Sequence, residues 1–206
     1  MSNNRLQQQI KFILEIDKLK SILRRSYLLN QERRENSAEH SWHLAIMAIL
    51  LYEYANEKVD LLHVLKMVLV HDLVEIDAGD TYCYDEEANS HKAEREQKAA
   101  DRLFAILPED QGDELCSLWE EFEGRKSPEA RYANALDRLM PMMHNYYSQG
   151  KSWKEHDVVS ENVFERNSVM REGSEKLWEF AHSLIEDAVE KGYLASSNKN
   201  EDNRNE

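Results

Sequence analysis

Turn-forming residues are scarce in this chain, and that scarcity limits its possible folds more than any other feature. Six glycines and three prolines serve 206 residues, while leucine, alanine, glutamate, lysine and arginine are abundant. Sandwiches and barrels of strands need frequent turns, so the composition favours helices packed on helices. A chain of this length buries a substantial core within a single domain, expected over residues 1–195. The stretch from Ser196 to Glu206 has no large apolar residue and is expected to be a disordered polar tail.

Helical periodicity places a first helix over about Leu6 to Leu23 and reads Arg24 to Ser37, with its four arginines, as an ordered loop. Ser37 serves as N-cap of a second helix, with His40 in its first turn and Trp42, Ile46, Ile49 and Leu50 as core contacts. Asp60 caps a third, which presents Leu61, Leu65, Val68 and Asp72 on one stripe and ends near Ala78-Gly79. Further helices are predicted from about Ser90 to Leu107 and from Gln111 to Phe122. Another follows Ser127-Pro128-Glu129, where a cap, a first-turn proline and an acid at the positive dipole end coincide. It carries Ala133, Leu136, Asp137 and Met140 on one face, and Pro141 is expected to kink or end it. One long or two shorter helices cover Asp157 to about Lys191, with Trp178, Ala181, Leu184, Ile185 and Ala188 as an amphipathic stripe. No strand is predicted, so the expected class is all-α.

With 26 basic against 40 acidic residues the formal charge is −14. Such a surface repels nucleic acid and anionic membranes, although a local cluster of basic residues still suits a small anionic substrate. The start lacks the pattern of a signal peptide, and no stretch has the ~20 apolar residues of a membrane span. Cys83 and Cys116 are too few and too isolated for a disulfide framework or a thiolate metal site. These features read as a soluble cytoplasmic protein.

His71 and Asp72 stand side by side in the apolar run V-L-K-M-V-L-V-H-D-L-V-E-I-D-A-G-D. A buried histidine or carboxylate without a partner costs several kcal/mol or is forced to neutralise. An isolated His-Asp pair is usually a satisfied core pair. Here Asp72, Glu75, Asp77 and Asp80 crowd one helix end, where the dipole disfavours anions. A divalent cation is the economical explanation, and the chain supplies further ligands in His40, within R-R-E-N-S-A-E-H-S-W, and Asp137, within Y-A-N-A-L-D-R-L-M-P. Two imidazoles and two carboxylates suit one first-row ion such as Mn, Co, Fe, Ni or Zn.

The pattern His40…His71-Asp72…Asp137 resembles the HD-domain superfamily of metal-dependent phosphohydrolases. The strings R-R-E-N-S-A-E-H-S, H-D-L-V-E-I-D-A-G-D and A-L-D-R-L are similar to the HD-domain 5′-deoxynucleotidases, over about Lys18 to His144. The resemblance implies an HD-domain helical bundle, one divalent ion, hydrolysis of a (deoxy)nucleoside 5′-monophosphate and a homodimer. Glu75, one turn beyond His71, is the implied general acid/base. Asp80 resembles the acid that receives the 3′-hydroxyl. Arg25 fits the phosphate-contacting arginine by its distance from His40, with Arg24 as the nearby competitor; Arg33 and Arg34 read equally well as surface charge. The family's aromatic residue directly after that arginine is displaced here, in Arg25-Ser26-Tyr27, so a preference for deoxyribose is not implied. His43 and His144 read as core or rim histidines, and Tyr146, Tyr147 and Trp153 as core or dimer contacts rather than a base pocket. Three readings compete: a guanosine tetraphosphate hydrolase, which resembles H-D-x-x-E-D where this chain has Ile76; a nucleoside triphosphate hydrolase; and a helical metal-binding module without turnover.

Overall fold

The computed structural model describes residues 2–82, 84 and 90–197. Helix α1 (Ser2–Ile16) passes into a 3-10 turn (Asp17–Ser21), so the first predicted helix is two pieces. The expected loop that follows is instead a short ribbon. Strands β1 (Leu23–Tyr27) and β2 (Arg34–Asn36) pair antiparallel, Leu23 opposite Asn36 and Tyr27 opposite Arg34. Successive strand side chains point to opposite faces. Ser26 and Glu35 are accordingly buried, while Leu23 and Arg25 are exposed. The mostly helical class is as expected, with this ribbon as the exception.

Helix α2 (Ser37–Leu51) is capped by Asn36 rather than by Ser37. The Asn36 side chain accepts from the Glu39 amide and the Glu39 side chain accepts from the Asn36 amide, a reciprocal capping box. Ser37 then lies inside the first turn, buried, where its hydroxyl is available to the site below. Helix α2 is apolar nearly all round, and the core takes only the face bearing Leu44, Met47 and Ala48. Trp42, Ile46, Ile49 and Leu50, expected as core contacts, are exposed, Trp42 at 63% and Leu50 at 66%.

Asp60 caps α3 (Leu61–Val70) as predicted, but the helix stops eight residues early and resumes as α4 (Glu75–Ala78). The break lies at His71-Asp72. The His71 ring donates from Nδ1 to the Val68 carbonyl at 2.9 Å. The amides of Leu73 and Glu75 bond three residues back, a tighter winding than the α-helix. Gly79 (φ 75°) then reverses the chain, a conformation that favours glycine.

Helices α5 (Lys92–Phe104), α6 (Glu109–Gly124) and α7 (Pro128–Tyr147) match the predicted segments, and the Ser127 hydroxyl accepts from the Ala130 amide at 3.1 Å. Pro141 lies within α7 and does not end it; having no amide hydrogen, it leaves the Asp137 carbonyl without its usual helical donor. The C-terminal part divides into α8 (Lys151–Glu155), α9 (Ser160–Asn167), α10 (Met170–Gly173) and α11 (Glu175–Glu190), more pieces than predicted. At Gly173 a Cβ would fall 2.2 Å from the Arg131 carbonyl oxygen, so only glycine lets α10 lie on α7. The break that follows is Ser174, extended and capping α11 with its hydroxyl.

Two apolar clusters result. One gathers Leu44, Met67, Leu136, Met140, Trp178 and Ile185, and the other Phe12, Leu19, Val70, Leu73, Leu103 and Trp119. Val68 belongs to the first and Val70 to the second, so His71-Asp72 emerges at their seam. Among the described residues no helix is long and apolar enough to cross a membrane. Of the expected polar tail, Ser197 bonds to Glu161, while 198–206 lie outside the described residues, as does Cys83.

Candidate metal centre

Three parts of the bundle bring the predicted ligands to one point. Helix α2 supplies His40, the turn after α3 supplies His71 and Asp72, and α7 supplies Asp137. His40 Nε2 lies 2.9 Å from Asp137 Oδ1 and 4.0 Å from Asp72 Oδ2. His71 Nε2 lies 3.0 Å from Asp72 Oδ1 and 3.8 Å from Asp137 Oδ1. Both imidazoles are buried.

These side chains fit a cation. A carbonyl only accepts, so the bond to Val68 puts the proton of a neutral His71 on Nδ1 and leaves a lone pair on Nε2. That Nε2 is buried and makes no hydrogen bond among the described residues, although carboxylate oxygens stand close by. Together with His40 Nε2, this orphaned imidazole nitrogen beside two carboxylates makes a ligand set of the N2O2 kind that suits a divalent first-row ion. The field of the site favours positive charge, which a proton on His71 supplies where no cation is bound. Burial lowers the His71 pKa, but Asp72 and Asp137 outweigh it and raise it well above the ordinary value. Burial opposes the charged form of Asp72, yet His71 and Arg24 hold its carboxyl well below the usual range.

Arg24 and Arg25 are separated by the alternation of β1. Arg24 turns inward, and its guanidinium donates to Asp72 Oδ2 at 2.7 Å and lies 3.9 Å from Asp137 Oδ1. Arg25 borders the same cleft from an exposed position. Arg33 pairs with Glu39 and Arg34 with Glu155, both away from the ligands. Tyr27 donates to Glu155 and stacks under Lys151, whereas Ser26 lines the cleft.

Glu75 opens α4 and is buried, accepting from the Ser37 hydroxyl at 2.5 Å. Burial first, then repulsion by Asp72 and Asp80, push its carboxyl up to about 8, against the pull of Arg24 and Ser37. Asp80, just past Gly79, lines the cleft and is raised too, by burial and Asp72 against the pull of Arg24.

Sequence reasoning missed several groups here. Lys92, paired with Glu96 at 3.2 Å, and Arg138 line the cleft. Glu35 is buried behind His40. Glu35 lay within the quoted R-R-E-N string, but only recognition of the strand would have shown that it faces inward. Trp153 lines the cleft, while Tyr146 packs against Tyr147 and Tyr193. His144 is buried beside Glu35, as a core histidine.

Comparison with known proteins gives a consistent result. The family model described as HD domain matches residues 16–178. The chain is 30% identical over 139 residues to 5′-deoxynucleotidase HDDC2 of Bos taurus, covering 67% of this chain and 66% of that protein. It is 30% identical over 130 residues to the Homo sapiens protein of the same name, covering 63% of this chain and 62% of that protein. The matched stretch thus spans slightly less than two thirds of these relatives. Among solved structures, a predicted metal-dependent phosphohydrolase from Magnetospirillum magnetotacticum superposes with a TM-score of 0.91 at 50% identity, over 95% of this chain and 98% of that one. A Pyrococcus horikoshii protein shares the fold, with a TM-score of 0.61 at 22% identity over 86% of this chain and 98% of that one.

Proposed function

This chain belongs to the HD domain family, and we propose on that premise that it is a metal-dependent hydrolase of (deoxy)nucleoside 5′-monophosphates, releasing nucleoside and inorganic phosphate. The observation that carries the reading is that His40 and His71 each lie within 2.9–4.0 Å of both Asp72 and Asp137, with Arg24 on Asp72 and Glu75 buried one turn on. Those four side chains would hold one divalent ion, whose identity among Mn, Co, Fe, Ni and Zn depends on availability. When bound, such an ion supplies a water acidified toward a pKa of ~7 and a Lewis-acid contact to a phosphoryl oxygen.

The remaining roles fall to the chain itself. Arg24, inward on β1, is the cation best placed to fork onto phosphate oxygens, with Arg25 at the rim. Little covalent chemistry is asked of the protein in phosphoryl transfer, so placement and charge neutralisation carry the rate. Glu75, buried and held by the Ser37 hydroxyl, is the general acid/base that orients the water or protonates the departing 5′-oxygen. Asp80 accepts from the sugar 3′-hydroxyl. No aromatic residue directly follows either arginine, in Arg24-Arg25-Ser26, so a preference for deoxyribose over ribose is not part of the proposal.

The active form is a homodimer. Two apolar stripes at helical spacing lie open, Leu6, Ile10, Ile13 and Leu14 on α1 and Trp42, Ile46, Ile49 and Leu50 on α2. The C-terminal helix α11, by contrast, turns Leu177, Trp178, Ala181, Ile185 and Ala188 into the core. A small nucleotide as substrate keeps the proposed setting cytoplasmic.

Phosphate release tests the reading. With Mn or Co added, nucleoside 5′-monophosphates should be hydrolysed and chelation should stop the reaction. Turnover of guanosine tetraphosphate to pyrophosphate or of triphosphates to tripolyphosphate alone, as read by nucleotide chromatography, would favour those hydrolases, and a folded, metal-loaded protein inert towards all of them would favour a binding module.

A further inference from the structure

Glu35 lies behind the metal centre, 2% exposed, at the inward position of β2. A carboxylate so buried is tolerated only among donors and cations. The Ser26 hydroxyl donates to its Oε2 at 3.4 Å. Three nitrogens face the same oxygen: His40 Nδ1 at 3.6 Å, His144 Nδ1 at 3.8 Å and Arg24 Nε at 3.9 Å. Each of the three is buried and makes no hydrogen bond among the described residues. These separations lie just beyond hydrogen-bond length, and a carboxylate movement of under ~1 Å turns any of them into a direct bond.

His40 therefore works in two directions. Its Nε2 faces Asp137 and Asp72, and its Nδ1 faces Glu35. A carboxylate behind a ligand histidine decides which ring nitrogen holds the proton and raises the basicity of the other. Arg24 is placed likewise, with Nε towards Glu35 and one terminal nitrogen on Asp72. We propose that Glu35 is a positioning residue shared by the metal and phosphate sites, fixing His40 as the Nδ1–H tautomer and aiming the guanidinium of Arg24. This rests on the metal reading above.

The test is calorimetric titration of Mn(II) into wild type, Glu35→Gln and Glu35→Ala, with folding checked by circular dichroism. Glu35→Ala should weaken binding by about 10- to 100-fold. Glu35→Gln, which keeps an acceptor oxygen, should lose less. At saturating metal both should raise KM for a deoxynucleoside monophosphate more than they lower kcat, because Arg24 is loosened. In 15N-labelled protein loaded with Zn(II), His40 should report the Nδ1–H form in wild type and lose that single state in the variants. If Glu35→Ala does not fold, the titration and ring signals of Glu35→Gln decide. Wild type binding one ion, with variants of equal affinity, KM and ring signals, would overturn the role of Glu35 and leave the metal reading standing. A wild type that binds no ion at His40 would instead overturn the metal reading and this proposal with it.

Discussion

At the scale of single residues, the four candidate ligands were legible because ionisable groups inside apolar runs need partners, and each of the four stands in or beside such a run. The choice between Arg24 and Arg25 was not legible. Distance from His40 along the chain is uninformative until β1 is recognised, and then its period of two sends Arg24 inward and Arg25 out. Glu75 carries two predictions. Glu75→Ala should lower turnover by about 10²- to 10⁴-fold while metal affinity stays near wild type; unchanged turnover would reject it as the acid. In metal-free protein, an acid whose folded pKa is about 8 stays protonated while the unfolded chain ionises from ~4.5 upward, so it subtracts stability as pH rises through that window. Glu75→Gln should therefore gain on wild type between pH 5 and 8 in urea unfolding with chelator present, and a constant gap would contradict the shift. His71 gives a third expectation. Its pKa is raised by Asp72 and Asp137 against burial, and a ligand imidazole must be neutral. Metal affinity should rise with pH and binding should release protons, seen as titration enthalpies that vary with the buffer's ionisation heat.

At the scale of elements, helix caps were legible where one local signal decided. Asp60 and Ser127 cap their helices as predicted. Asn36 displaced Ser37 because a capping box needs the acid three residues on, and Glu39 stands at that distance from Asn36. Asn36→Ala should destabilise the fold by ~1 kcal/mol in urea unfolding; no loss would mean that the cap is not holding the start of α2, and His40 with it. The break at His71 could not be read from periodicity, since it arises when a side chain takes the Val68 carbonyl. Pro141 shows the converse: a strong stop signal is overridden inside α7, where packing of Met140 and Met142 on both sides of it holds the helix together.

At the scale of the whole molecule, an apolar stripe looks the same in sequence whether it meets its own core or another chain. This is why α2 was assigned its exposed residues as core contacts, while its buried Leu44, Met47 and Ala48 were passed over. If the open stripes meet a second copy, light scattering should give a dimer for wild type, and Trp42→Glu should give a folded monomer; a monomeric wild type would remove the dimer from the account. The convergence of distant residues, by contrast, followed from a chemical need rather than from periodicity, and so it was foreseen before any helix was placed correctly. The central claim is that one divalent ion sits among His40, His71, Asp72 and Asp137. Anomalous diffraction from a crystal grown with Mn or Co and a deoxynucleoside monophosphate tests it most directly. A single peak per chain about 2.0–2.2 Å from both Nε2 atoms and from an oxygen of each aspartate is the predicted result, and a fully loaded crystal whose peak lies elsewhere would contradict it.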